Sequence, residues 1–146
     1  LSQEVNRCKR QNARISLAML DIDHFKQVND TYGHAAGDSA IKVLSRLLKQ
    51  RLRSSDIVGR YGGDEFVALL LDCESEQAFK IMDEIREHFS QIEFYPNEAR
   101  SLFLTFSCGI STFPNFTSAE SMSDAADQAL YLAKAGKRNQ VKVALL

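Results

Sequence analysis

The chain has 146 residues, of which 45% are hydrophobic and 25% are charged, and its formal net charge is -1. These values predict one globular domain over residues 1–146 and give no basis for nucleic-acid binding or for contact with a membrane surface. The three cysteines are widely spaced without a C-x-x-C pair, which argues against a disulfide framework or a zinc site and favours a cytoplasmic location.

The residue pattern of the first part of the chain predicts a polar helix, a buried strand, a helical turn and an amphipathic helix. The polar helix covers residues 1–13, and the apolar run Ile15–Ile22 is typical of a strand that is covered on both faces. A helical turn over 25–29 precedes a polar loop over 30–34. Apolar residues then recur at helical spacing over 40–52, and we expect Asp38 or Ser39 to cap this helix.

The second part begins with a β-hairpin. Strand-forming residues at 56–61 and 66–71 flank Gly62 and Gly63, and these glycines would provide the positive φ angles of a tight turn. The pattern then predicts a helix over 75–92, an irregular excursion over 93–100 and a strand over 101–112. A helix over 124–135 would be capped by Ser121 or Ser123 and ended by Gly136, and a last strand would cover 141–146. This order predicts an α+β fold in which helices pack on a mostly antiparallel sheet.

Acidic residues form two clusters, one where the first strand ends and one at the hairpin tip. The first contains Asp21 and Asp23, and the second contains Asp64 and Glu65. If the first strand and the hairpin are neighbours in the sheet, the clusters meet at one edge. They could then hold two divalent cations about 3.5–4 Å apart, as in nucleotidyl-transfer sites. Either cluster alone is equally well explained by the preference of strand ends and turns for Asp and Gly.

Several motifs are distributed along the chain: DIDHFKQVND at 21–30, YGH at 32–34 with GD at 37–38, RYGGDEF at 60–66, and ADQALY at 126–131 with AK at 133–134 and GKRN at 136–139. Together they resemble the GGDEF domain of bacterial diguanylate cyclases, which join two GTP molecules into cyclic di-GMP. They follow the family's order and spacing and span nearly the whole chain. The resemblance implies a palm-like fold of the nucleotide-cyclase, ferredoxin-like kind with about five strands and flanking helices.

The resemblance also implies roles for individual residues. Magnesium, two ions per nucleotide site or manganese in its place, would be held by Asp21, Asp64, Glu65 and the carbonyl of Ile22. Asp64 and Glu65 would be catalytic, and the choice of proton acceptor between them stays open. The substrate-binding residues would be Phe25, Lys26, Asn29, His34, Asp38, Gly62, Gly63, Lys134 and Arg138. Among these, Asn29 and Asp38 would read guanine, and the three basic residues would neutralise the β- and γ-phosphates. Without the family, Lys134 and Arg138 are ordinary cations at a helix C-terminus.

An R-x-x-D pattern, Arg53 and Asp56, precedes the hairpin at the spacing of the family's inhibitory product site. An arginine can grip a phosphate or a guanine bidentately while a carboxylate pairs with the base edge. We therefore predict that cyclic di-GMP binds here and inhibits the enzyme. Taken alone, the same two residues would be a helix-end arginine and a turn aspartate.

The family's D-x-L-T-G-L-x-N-R stretch at the domain entrance is missing, since Asn6 and Arg7 lie too close to Asp21 to be its end. We expect a C-terminal output domain cut from a longer signalling protein with an upstream sensor or receiver domain, including the case of a membrane-bound receptor. The resemblance implies one GTP per domain, so activity would need two domains facing each other as a homodimer.

Two alternative functions stay open at this point. The domain could be a non-catalytic receptor module that binds GTP or cyclic di-GMP, although the presence of Asp21, Asp64 and Glu65 argues against a degenerate site. It could also be a cyclase that uses ATP, which Asp38 at the guanine-reading position disfavours.

Overall fold

The computed structural model describes residues 1–97 and 100–145. Its elements are, in chain order, α1 (Ser2–Gln11), β1 (Ile15–Ile22), α2 (Phe25–Tyr32), α3 (His34–Arg51), β2 (Ile57–Gly62), β3 (Glu65–Leu71), α4 (Ser75–Ser90), β4 (Phe94–Asn97), β5 (Arg100–Leu102), β6 (Phe106–Phe113), α5 (Ala119–Ala135) and β7 (Val141–Val143). None of the helices in these ranges has both the length and the apolar character that crossing a bilayer requires.

The main sheet has five strands in the order β2-β3-β1-β6-β7. Strand β1 pairs antiparallel with β3 on one side and with β6 on the other, while β6 and β7 run parallel. The central position of β1 explains its apolar sequence, because both of its faces are covered by other elements. The predicted α+β fold with a mostly antiparallel, five-stranded sheet is confirmed.

Helices cover the sheet on both faces. On one face, Ala18, Leu20 and Ile22 of β1 belong to a large buried cluster that also receives residues from α2, α3 and α4. On the other face, Ile15 and Leu17 pack in a smaller cluster with residues from α1 and α5. The alternation along β1 follows the two-residue period of a strand. The acidic end of β1 therefore lies between helices on both sides.

The connection between β1 and α3 differs from the prediction. Helix α2 continues to Tyr32, and α3 already begins at His34, so the predicted loop over 30–34 and the predicted cap at Asp38 or Ser39 are wrong. Gly33 alone separates the helices, with φ 91°, and its N–H donates to the carbonyl of Asn29 at 2.8 Å. Because only glycine readily adopts this backbone angle, one residue suffices where the sequence predicted a loop.

The C-terminal half also departs from the prediction, and β7 ends at Val143, before residues 144 and 145 of the predicted last strand. Helix α5 begins at Ala119, because Ser118 and Ser121 form a reciprocal capping box; the predicted cap at Ser121 or Ser123 is therefore wrong. The predicted excursion contains β4, which pairs with β5 in a separate two-stranded sheet. Residues 98 and 99 of that excursion, and residue 146 of the predicted last strand, lie outside the described residues. The predicted strand over 101–112 is divided between β5 and β6.

Candidate active site

The two acidic clusters meet because β1 and β3 are neighbours in the sheet. Asp21 of β1 lies directly opposite Glu65 of β3 in the antiparallel register. Residues opposite each other in such a pair have Cβ atoms about 4.5–5.5 Å apart, so the two carboxyl groups share one face of the sheet. The metal-site prediction required the first strand and the hairpin to be neighbours in the sheet, and they are.

Asp21 is buried, with 6% of its surface exposed. One carboxylate oxygen, Oδ2, accepts a hydrogen bond from the Lys134 ammonium group near the end of α5. The other oxygen, Oδ1, is buried and has no hydrogen-bond partner within the described residues. A buried carboxylate oxygen without a partner is unfavourable, and a bound cation would satisfy it.

The hairpin tip is a two-residue turn made by Gly63 and Asp64, and Glu65 follows it as the first residue of β3. Gly63 has φ 39°, whereas Gly62 is not among the residues with positive φ, so only one of the two glycines is needed for backbone geometry. The carbonyl of Gly63 accepts a hydrogen bond from Arg60 Nε at 2.8 Å. A Cβ added to either glycine would meet no heavy atom within 4 Å, so the space above the tip is open to a ligand.

The electrostatics of the tip favour a cation. Burial raises the pKa of Asp64, and the nearby charge of Asp21 raises it further. Burial also raises the pKa of Glu65, followed by the charges of Asp21 and Asp64. Lys134 opposes both shifts, because a positive charge stabilises the ionised carboxylates. Asp21, Asp64 and Glu65 outnumber the one ammonium group of Lys134, so negative charge is in excess at this end of the sheet.

These groups fit a magnesium site of the kind that is completed by a substrate. Over the described parts of the chain, no three His, Cys, Asp or Glu side chains form a protein-only cage. Magnesium is commonly held by one or two carboxylates together with waters and substrate phosphates, so such a cage is not required. The unpartnered Oδ1 of Asp21 and the Glu65 carboxylate supply suitable oxygen ligands. Ile22, whose carbonyl is predicted to be a further ligand, directly follows Asp21 in β1.

The residues expected to read guanine lie on α2 and α3. Asn29 Oδ1 is buried and has no hydrogen-bond partner within residues 1–97 and 100–145. The two helices approach closely at Gly37, where a Cβ would lie 1.9 Å from that oxygen and 3.1 Å from Cζ of Phe25. His34 and Asp38 are exposed and four residues apart on α3, so they share one helix face. Lys26 is exposed on α2.

Sequence reasoning missed two residues that line the same cavity as Asp21 and Glu65. This cavity has a volume of about 150 Å³ and is also lined by Asp127, Tyr131 and Lys134 of α5. The spacing of these three residues, i, i+4 and i+7, is that of one helix face. This spacing could have indicated from the sequence that Asp127 and Tyr131 lie on the same side of the helix as Lys134. Arg138 is exposed in the turn after α5.

The R-x-x-D pair lies at the other end of β3, near Leu71, about 20 Å along the strand from Glu65. The Asp56 side chain is only 2% exposed, whereas that of Arg53 is 56% exposed. The Asp56 carboxylate accepts hydrogen bonds from the main-chain N–H groups of Arg53 and Leu71, each at 3.0 Å, and from the Arg53 guanidinium. In this arrangement Asp56 orients Arg53, and the guanidinium remains accessible.

Comparison with known proteins agrees with the resemblance found in the motifs. Residues 1–140 match the family described as "Diguanylate cyclase, GGDEF domain". Diguanylate cyclase DgcP of Pseudomonas aeruginosa is 40% identical over 144 residues, which are 99% of this chain and 21% of DgcP. Probable diguanylate cyclase DgcC of Escherichia coli K12 is 39% identical over 145 residues, which are 99% of this chain and 38% of DgcC. The chain thus spans well under half of either relative.

Solved structures show the same fold. The GGDEF domain of DgcB from Caulobacter crescentus, in complex with c-di-GMP, superposes with a TM-score of 0.93 at 31% identity, over 99% of this chain and 85% of that chain. The active GGEEF domain of a diguanylate cyclase from Vibrio cholerae gives a TM-score of 0.92 at 29% identity, over 99% and 92% of the two chains. The chain belongs to the GGDEF domain family of diguanylate cyclases.

Proposed function

We propose that this domain condenses two GTP molecules into cyclic di-GMP and releases two pyrophosphates. The observation that carries the proposal is the cross-strand pairing of Asp21 with Glu65 beside an open, glycine-containing hairpin tip. This places carboxylates for a divalent cation next to a backbone that a nucleotide can approach closely. The family and the relatives named diguanylate cyclase support the choice of reaction.

The nucleotide is held at both of its ends. Asn29 and Asp38 receive the guanine, since a buried amide oxygen and a carboxylate both accept hydrogen bonds from its N–H groups, which adenine presents differently. Phe25 and His34 lie beside this base site. Lys26, Lys134 and Arg138 neutralise the phosphates, and Gly62 and Gly63 leave room for the ribose and the α-phosphate.

In each condensation the 3′-oxygen of one GTP forms a bond to the α-phosphorus of the other. The bond from that phosphorus to the bridging oxygen breaks, and pyrophosphate leaves with the electron pair. The proton of the 3′-hydroxyl passes to Asp64, whose pKa is raised chiefly by burial and therefore moved towards the range useful for a general base. When bound, magnesium stabilises negative charge on the α-phosphate and on pyrophosphate. Asp21, the Ile22 carbonyl and Glu65 would hold it, and Asp64 at the hairpin tip would add to the negative charge that attracts it.

One domain presents one such site, so the reaction joins two copies whose hairpin tips face each other. The two bond-forming steps then use the 3′-hydroxyl of each GTP in turn. A structure of DgcB from Caulobacter crescentus includes a coiled coil with its GGDEF domain, and SiaD from Pseudomonas aeruginosa was solved with its activator SiaC. By analogy, an upstream segment brings two copies of this domain together. Since GTP is a cytoplasmic metabolite, we place the domain in the cytoplasm.

The test is incubation of the domain with GTP and magnesium, followed by chromatography of the products. A coiled coil fused before Leu1 supplies the dimer, and Asp64→Asn serves as the inactive control. We expect cyclic di-GMP from the dimerised wild type and a loss of roughly 10²–10⁴-fold in Asp64→Asn, the range for removal of a general base. GTP binding without any cyclic dinucleotide would support the receptor function instead, and turnover of ATP would contradict the assignment of guanine to Asn29 and Asp38.

We further propose that cyclic di-GMP binds at Arg53 and inhibits the enzyme. The exposed guanidinium is held in place by the buried Asp56, and the GGDEF domain of DgcB was solved in complex with c-di-GMP. Arg53→Ala is expected to weaken product binding by roughly tenfold or more in calorimetry, the loss typical of a charged hydrogen bond. Arg51→Ala, which removes a surface ion pair with Glu84, is the matched control. Unchanged product affinity in Arg53→Ala would refute this site.

A further inference from the structure

Asp23 lies two residues after Asp21, and both oxygens of its carboxylate accept hydrogen bonds from other groups of the protein. Oδ1 accepts a hydrogen bond from Ser107 Oγ at 2.7 Å. Oδ2 accepts from Thr105 Oγ1 at 2.6 Å and from the main-chain N–H of Asn139 at 3.0 Å. The residue is 4% exposed. Asp23 therefore ties the end of β1 to the start of β6 and to the turn that follows α5.

That turn has an unusual backbone. Lys137, Arg138 and Asn139 have φ angles of 80°, 60° and 46°, so three consecutive residues other than glycine occupy the left-handed region. Such residues normally occur singly, because the Cβ atom crowds the neighbouring carbonyl oxygen. A run of three persists only where surrounding contacts hold it in place.

Three of the contacts that hold the turn involve different parts of the fold. The N–H of Arg138 donates to the carbonyl of Ala133 in α5 at 3.0 Å. The side-chain oxygen of Asn139 accepts from Arg86 of α4 at 2.8 Å. The N–H of Asn139 donates to Asp23. Of these three contacts, only the one to Asp23 connects the turn directly to the strand that carries Asp21.

The turn carries the basic residue Arg138 and follows the helix that carries Lys134. Arg138 is its central residue and is exposed. Lys134 lies four residues earlier, on the last turn of α5, and pairs with Asp21. A shift of the turn away from β1 would move the Arg138 guanidinium with it, whereas Asn29 lies on α2 and is not part of this turn.

We propose that Asp23 is a positioning residue for the triphosphate: through the main chain of Asn139 it sets the location of Arg138, and it touches no substrate itself. This inference rests on the proposed function, because it requires Arg138 to bind the nucleotide phosphates. It assigns different roles to Asp21 and Asp23, since Asp21 would bind the cation whereas Asp23 binds the turn after α5.

The test compares a ligand that has the full phosphate chain with one that lacks its end. We would measure the Kd of α,β-methylene GTP and of GMP for the 146-residue chain by calorimetry in the presence of magnesium. For Asp23→Ala we expect the triphosphate to bind roughly tenfold or more weakly, the loss of one charged phosphate contact. GMP should change by less than about twofold, as for a site that is independent of the mutation. Asp23→Asn keeps an oxygen that can accept from Asn139, so it should restore much of the affinity.

Two further variants distinguish the positioning of Arg138 by Asp23 from a general disturbance of the fold. Ser111→Ala removes a different buried hydrogen bond, from Ser111 Oγ to the carbonyl of Met122 at 2.6 Å, and should leave both affinities unchanged. In an Arg138→Ala background, Asp23→Ala should cause no additional loss, because its effect passes through Arg138. If Asp23→Ala does not fold, Asp23→Asn must still show a smaller loss confined to the triphosphate.

Equal weakening of both ligands, or of neither, would overturn the inference, as would full additivity with Arg138→Ala. Failure of the wild-type chain to bind α,β-methylene GTP at all would instead refute the proposed function. The two failures are therefore distinguishable in the same experiment.

Discussion

Replacing Gly37 by alanine tests the guanine-binding role of Asn29 without changing Asn29 itself. Gly37 is buried in α3 where this helix contacts α2. A Cβ at this position would lie 1.9 Å from Oδ1 and 3.0 Å from Cγ of Asn29, and 3.1 Å from Cζ of Phe25. Real Cβ atoms do not approach within 3.0 Å of other heavy atoms, so the amide must move by about 1 Å or more. Asn29 is thereby displaced from the position in which its oxygen is buried and unpartnered.

The expected effects on stability and on binding differ in size. Alanine in place of a helical glycine gains about 1 kcal/mol, whereas overpacking typically costs about 1–3 kcal/mol. The free energy of unfolding should therefore fall by no more than about 2 kcal/mol, and the domain should stay folded. Losing a hydrogen bond from a buried polar group costs about 1–3 kcal/mol, which corresponds to a Kd for GTP that is raised roughly five- to 150-fold.

The assay is calorimetric titration with GTP and magnesium, combined with thermal denaturation. Gly59→Ala is the matched control, because nothing lies within 4 Å of a Cβ at Gly59 and its φ is not positive. The double variant Gly37→Ala with Asn29→Ala should be more stable than Gly37→Ala, since the clashing amide is gone, yet should bind GTP no better than Asn29→Ala. Wild-type affinity for GTP in Gly37→Ala would refute the role of Asn29 in reading guanine.

Two further predictions concern the acidic tip and the packing of α5. Burial raises the pKa of the Glu65 carboxyl group, and the negative charges of Asp21 and Asp64 raise it further. The folded state therefore binds a proton at Glu65 more tightly than the unfolded state does. As a result, the domain loses stability as the pH rises through the pKa of Glu65 in the folded state. Glu65→Gln should therefore raise Tm at pH 7–8 in the presence of a chelator. The difference in Tm between the variant and the wild type should vanish at about pH 4, where the Glu65 carboxyl is protonated. An unchanged Tm at pH 7–8 would contradict a raised pKa of Glu65. Gly109→Ala should unfold the domain, since its Cβ would lie 2.2 Å and 2.3 Å from main-chain atoms of α5 that cannot rotate away. A loss below about 3 kcal/mol in denaturant titration would show that α5 can shift on the sheet.

Local patterns predicted most elements because their causes are local. The eight-residue apolar run of β1 and the hairpin could be identified from residue type and spacing alone. The start of α3 could not, because a glycine at φ 91° allowed two helices to follow each other where a polar loop was predicted. The start of α5 was missed because Ser118, which lies before the apolar repeat, forms the cap.

The sequence by itself determined the family, the α+β class and the residue types of the candidate site, since these depend on short motifs and their order. Which carboxylates meet was decided only by the tertiary structure. Asp21 and Glu65 are 44 positions apart and become neighbours through the pairing of β1 with β3, a long-range contact that no local pattern specifies. Asp21 and Asp23 are alike in sequence, yet packing directs one towards Lys134 and the other towards Asn139. Chemical identity is local, whereas the partner of each charge depends on how distant segments pack.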